Sequence, residues 1–172
     1  YHKPTLKSFA KHYITNEDIP DDLFNKILDN KNFNSGLSML RQIYFSMMDL
    51  HLYSHEMKSE EDILNVQKEF ADRYLVSPRI EEDRFLCSFS HIFAGGYSAG
   101  YYSYKWAEIM SSDAFGLFEE SDMNDKTKMN ELGMKFRNTV LSLGGGTPPS
   151  DVFKSFRGRE PQVDALLRHN GL

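Results

Sequence analysis

Between Asn34 and Met57, the apolar residues Leu37, Leu40, Ile43, Tyr44, Met47, Met48, Leu50 and Leu52 cover most of a helical circumference. A helix with so wide an apolar face is satisfied only when neighbours pack on several sides, so this element belongs at the centre of a fold. The rest of the chain supplies helical neighbours. Leu6, Phe9 and Tyr13 recur at helical spacing, and Pro20 opens a short helix over 21–28 with acids in its first turn, where the helix dipole favours them. Ser59 and Asp62 form a capping pair ahead of a face made by Ile63, Val66, Phe70 and Tyr74, which ends before Pro78. Residues 81–90 read as irregular or as a short extended piece. Residues 101–120 read as a helix with Trp106 and Phe115 in the core, and 128–143 as another helix broken by GGGTPP. Two short helices at 150–156 and 161–168 close the chain. With no period-two alternation and no internal repeat, the expected fold is all-α, a single helical domain over 1–172.

At 172 residues the chain is long enough to bury a real core. Its net charge of −5, without a basic run, excludes nucleic acid as the main partner. Cys87 is the only cysteine and forms no internal disulfide. No apolar run approaches the roughly 20 residues of a membrane span, so no membrane partner is expected. The opening YHKPTLKSF resembles neither a signal nor a transit peptide, which makes the cytoplasm the expected compartment unless targeting information lies upstream.

The segment from Phe89 to Trp106 carries the chemistry. It holds His91, three glycines (Gly95, Gly96, Gly100) and four tyrosines (Tyr97, Tyr101, Tyr102, Tyr104). Glycine weakens a helix and a buried tyrosine hydroxyl needs a partner, so the recipe suits a surface that grips a peptide or an oxyanion. On the residues alone, a helix start with aromatic packing is an equal alternative. Tyr97, Tyr101 and Tyr104 stand at i, i+4 and i+7, which puts them on one concave face if a helix begins near Gly96. Tyr102 then points toward the core, and His91 folds back over the tyrosines.

Other candidates are weaker. His51 and His55 have the i, i+4 spacing of a zinc pair, but Leu52 stands where a general-base Glu would be needed, so a polar helix edge is the better reading. Gly144–Gly146 lacks the spacing of a nucleotide loop and reads as a helix stop. Arg157 and Arg159 read as ion-pairing residues that fix the last two helices, with Glu160 as partner. The acid clusters at 60–62, 81–83 and 119–120 read as solvated helix ends.

The glycine–tyrosine segment, with LSLGGG at 141–146 and FRGREPQVDALLRHNGL at 156–172, resembles the thimet oligopeptidase, neurolysin, oligopeptidase A and peptidyl-dipeptidase family of zinc metallopeptidases. The HIFAGGY spacing agrees with the oligopeptidase A and peptidyl-dipeptidase form. The resemblance implies the C-terminal part of a larger helical enzyme that hydrolyses short peptides by metal-assisted attack of water. Its HExxH helix is not in this sequence. Zinc is therefore implied for the intact enzyme, held by the upstream half of the same polypeptide, with none expected on this chain. By position in the motif, His91 and Tyr104 would hydrogen-bond the scissile carbonyl oxygen as it becomes an oxyanion. Gly95 and Gly96 would let the loop close over the peptide, and Tyr97 and Tyr101 would hold its backbone. Where the family has a basic residue before its glycine pair and a hydroxyl after it, this chain has Leu143 and Gly146. A non-catalytic peptide-binding module and a metal protein built on His51 and His55 remain the alternatives.

Overall fold

A computed structural model describes residues 1–172. Nine α-helices follow one another without a strand, apart from a single bridge between Lys11 and Asp18. They are α1 (Lys3–Phe9), α2 (Asp21–Lys31), α3 (Ser35–Ser54), α4 (Glu60–Tyr74), α5 (Phe85–Ser88), α6 (Ser103–Glu119), α7 (Lys126–Phe136), α8 (Pro149–Arg157) and α9 (Asp164–His169). The all-α expectation holds.

The central helix expected from the apolar run is α3, which packs along α4. Its enclosed stripe is Tyr44, Phe45, Met48 and the acid Asp49, whereas Leu37 and Leu50 are exposed. Phe70 and Ala71 of α4, with Leu86, Phe89, Ile92 and Tyr101, complete one core. α4 begins with the expected capping box: Ser59 Oγ accepts from the Asp62 N–H, and the Asp62 carboxylate accepts from the Ser59 N–H. The segment expected to be irregular contains the short helix α5, whose Phe85 stacks on Phe45 at 4.8 Å.

A second core lies toward the C-terminus. Val152, Phe153 and Phe156 of α8 lie against α6, Phe156 meets the Phe136 ring of α7 edge-on at 5.3 Å, and Phe156 is completely enclosed. The expected helix over 128–143 is α7 followed by a π-turn at Arg137–Leu141, and Gly144–Gly146 make a 3₁₀ turn before Pro149 starts α8.

Trp106 and Phe115 do not sit in either core: they are 52% and 43% exposed. The enclosed positions of α6 are Asp113 and Gly116. A Cβ on Gly116 would lie 3.6 Å from the Arg157 guanidinium and 3.9 Å from the Ala165 methyl, ordinary contact distances that show how closely α8 and α9 approach α6 here. The aromatic period pointed to other positions because the site is closed by an ion pair, not by an apolar ring. Asp113 accepts Arg157 Nε–H at 3.0 Å, two Arg159 N–H groups at 2.6 Å and the Gln162 N–H at 2.7 Å. Both arginines thus tie the last helices down as expected, but Glu160 is not their side-chain partner. Its carboxylate pairs with Lys154 at 2.6 Å, and Arg157 also pairs with Glu120.

Candidate active-site face

The glycine–tyrosine segment is not the start of a helix. Ser90–Ile92 form one 3₁₀ turn, residues 93–102 run through further turns, and α6 begins only at Ser103. The loop is closed on itself: Ser90 C=O accepts the Ala94 and Gly95 N–H groups, and His91 C=O accepts the Tyr97 N–H at 3.1 Å. Gly95 is needed for this closure, because a Cβ there would meet His91 Cα at 2.8 Å and its carbonyl oxygen at 2.9 Å. Gly96 is needed for another reason: its φ of +80° is left-handed, with open space around it.

This path brings four rings into a closed circuit. His91 lies 6.2 Å from Tyr97, Tyr97 5.1 Å from Tyr104, Tyr104 5.0 Å from Tyr101, and Tyr101 6.0 Å from His91. The three tyrosines expected to share a face do share one, through a turn in place of the expected helix. Tyr97 and Tyr104 are 37% and 39% exposed, and His91 is also open to solvent. Tyr102 is outside the circuit and half exposed, not in the core.

The four rings are not equivalent. Tyr101 is buried and its hydroxyl donates to Gln42 Oε1 at 3.1 Å, so it is the wall against which His91 and Tyr104 rest. Burial pushes its phenol above the ordinary tyrosine value. The Tyr104 phenol is pushed up to about 12, mainly by its hydroxyl's interaction with that of Tyr97, then by partial desolvation and by the charge Tyr97 and Tyr101 would carry on ionising. Tyr104 therefore remains a neutral O–H donor throughout the physiological range. Chemically, the face offers two accessible phenols and an imidazole side by side, which suits donation to peptide carbonyls and to an oxygen that gains negative charge.

No group of three or more His, Cys, Asp or Glu converges on a point. The His51 and His55 rings are stacked, 4.1 Å apart with planes 11° from parallel, so their lone pairs run side by side and do not converge. His55 Nδ1 is occupied by Ser54 Oγ at 2.9 Å. Burial, followed by the charge of His55, lowers the pKa of His51.

Sequence reasoning missed the residues of α3 that hold the loop. Asp49 is wholly buried and accepts the N–H groups of Ala99 and Tyr101, each at 2.8 Å, while the Tyr53 hydroxyl donates to the Ile92 carbonyl. The available signal was a lone acid inside the apolar stretch MMDLHL, since a buried polar residue is the informative departure from an apolar pattern.

No helix is long and apolar enough to cross a membrane. The family model described as Peptidase family M3 matches residues 1–172. Among curated relatives, the probable cytosolic oligopeptidase A of Arabidopsis thaliana is 51% identical over 100% of this chain and 25% of its own length. Oligopeptidase A of Escherichia coli is 44% identical over 97% of this chain and 24% of its own. Saccharolysin of Saccharomyces cerevisiae is 33% identical over 100% of this chain and 24% of its own. The chain thus spans about a quarter of the length of these relatives. With the family model matched from end to end, this chain belongs to peptidase family M3.

Proposed function

We propose that the chain is the C-terminal, substrate-facing part of a zinc-dependent oligopeptidase that hydrolyses short peptides. The observation that carries this reading is the four-ring face, with Tyr104 held as a neutral donor beside His91 and Tyr97. Family membership supplies the reaction class.

In this reading the Tyr104 hydroxyl and the His91 imidazole hydrogen-bond the scissile carbonyl oxygen more strongly as it gains charge. Donors fixed in advance of the reaction are commonly worth about 2.7–4 kcal/mol each in enzymes that use them. Tyr97 holds the peptide backbone from the exposed rim. Tyr101 contributes its ring edge to the same surface while its hydroxyl stays with Gln42. Gly95 and Gly96 leave the loop without side chains where a peptide approaches. The residues present do not fit a zinc site, so the metal belongs to a part of the polypeptide outside these residues, and that part is the chain's partner. A cytoplasmic site of action is proposed with it, and relatives carry both cytosolic and organellar names.

The test is steady-state kinetics of Tyr104→Phe in the full-length enzyme on a quenched fluorescent peptide. Wild-type turnover in that variant would refute the assignment.

A further inference from the structure

We propose that Asp49 is the positioning residue of the tyrosine face: from the middle of α3, its carboxylate fixes the turn that brings Tyr97, Tyr101 and Tyr104 together. The proposal rests on reading that face as the peptide-binding, donor-bearing surface.

The turn has little of its own to hold it in place. Of the N–H groups from Gly96 to Tyr102, only those of Tyr97 and Gly100 reach a backbone carbonyl, His91 C=O and Tyr97 C=O respectively. Ala99 has a left-handed φ of +55°, which an alanine adopts only when its surroundings impose it. What imposes it is Asp49. One carboxylate oxygen accepts the Ala99 N–H and the other accepts the Tyr101 N–H, both at 2.8 Å, and the side chain is wholly removed from water. A buried carboxylate whose recorded partners are two backbone amides is a costly way to brace a loop, and it is tolerated here because both oxygens are used.

Two further residues of α3 act along the same stripe. Gln42, seven residues before Asp49, accepts the Tyr101 hydroxyl. Tyr53, four residues after it, donates to the Ile92 carbonyl at the other side of the loop. Spacings of seven and four put all three on one helical face. α3 therefore acts as a template read at three points by the loop, and Asp49 is the central one. Tyr53 has a substitute: the Ser98 hydroxyl donates to the same carbonyl at 2.8 Å. Asp49 has none.

The test is made in the full-length enzyme. Asp49→Asn keeps the shape but can serve only one of the two amides and turns an NH₂ group toward the other. The expected result is a kcat lower by about 10–100-fold, the scale on which a small misplacement of reacting groups acts, with a smaller change in KM. Amide exchange at Ala99 and Tyr101 should accelerate by at least about tenfold. In a Tyr104→Phe background, Asp49→Asn should cost less than it does alone, because part of its effect runs through the Tyr104 hydroxyl. An unchanged kcat, or a loss fully additive with Tyr104→Phe, would overturn the proposal. If Asp49→Asn does not fold, exchange in the unaltered enzyme decides. Protection at Ala99 and Tyr101 with fast exchange at Gly96 and Ser98 supports the clamp, and fast exchange at all four overturns it. If Tyr104→Phe proves silent, the reading of the face fails, while the exchange data still judge the clamp on their own.

Discussion

Tyr104 rests against Tyr97, ring centroids 5.1 Å apart and planes inclined by 31°, although one side chain comes from a turn and the other from the first residues of α6. If Tyr104 donates to the oxyanion only as the transition state forms, Tyr104→Phe should lower kcat by about 10²–10³-fold and leave KM nearly unchanged. Tyr102→Phe, outside the circuit, is the control and should be almost silent. Kinetics on a quenched fluorescent peptide measures both. A Tyr102 effect as large as that of Tyr104 would place the wrong residue in the site.

The contact also sets a proton affinity. Tyr97 is the first cause of the upward shift at Tyr104, so Tyr97→Phe should bring that phenol down from about 12 toward the ordinary tyrosine value near 10. The sign follows from the causes: the Tyr97 hydroxyl, and the charge it would carry on ionising, both favour the neutral form of Tyr104, so removing them lowers its value. Alkaline titration of tyrosinate absorbance, comparing Tyr97→Phe with the Tyr97→Phe, Tyr104→Phe pair, isolates the group. An unchanged Tyr104 titration would show that the two hydroxyls do not interact.

Gly95 and Gly96 should fail differently. At Gly95 the added methyl meets backbone, which cannot swing aside, so Gly95→Ala should destabilise by about 1–3 kcal/mol and displace His91. At Gly96 there is space, and Gly96→Ala carries only the left-handed strain, about 1–2 kcal/mol. Urea unfolding gives the stabilities, and peptide hydrolysis shows which variant also loses activity. A larger activity loss from Gly96→Ala would argue for a moving hinge instead of a fixed turn.

Asp113 should be the most sensitive carboxylate for stability. Burial by itself would raise its pKa, but hydrogen bonds from Arg159, the Gln162 N–H and Arg157 prevail and hold it below the ordinary carboxylate range. Its contribution is therefore complete above the unfolded-state value near 3.9 and is lost as pH falls through the lower folded-state value. Asp113→Ala leaves the buried Arg157 with Glu120 as its remaining carboxylate partner and should cost about 3 kcal/mol, the low end for a broken buried pair, because Arg159 can turn to water. Urea unfolding at neutral pH and at decreasing pH checks both statements. A variant as stable as the parent would mean that the arginines find water instead.

Zinc binding by His51 and His55 is expected to be weak. Parallel stacked rings cannot present two lone pairs to one ion without a rotamer change, and no third ligand stands nearby. Metal analysis of the 172-residue chain after dialysis should give well below one zinc per chain. Stoichiometric zinc that disappears in His51→Ala, His55→Ala would contradict this.

Periodicity disclosed α3 as the central element because its apolar face is too wide for any other position. The Ser59–Asp62 cap and the glycine stop after α7 were legible because they depend on a few adjacent residues. Trp106 and Phe115 were placed inside by the same periodicity and lie outside, because the tight part of α6 is set by Arg157 and Arg159 arriving from more than forty positions away. The tyrosines could be grouped from their spacing, yet the reason for their grouping could not. A helix was expected from the pattern; a turn is imposed by Asp49, and the lone acid in MMDLHL does not reveal which segment fifty residues away it holds.

The tethers around Asp113 have a consequence for a broken chain. Residues 121–125 form the link between α6 and everything after it, and a protease cut there would separate the two pieces covalently. They would nevertheless stay joined. Asp113 grips Arg157 and Arg159, Glu120 grips Arg157, and Glu119 holds Arg168 and His169, all from the far side of the cut. A nicked molecule should therefore run as two bands on a denaturing gel and as one particle in a sizing column.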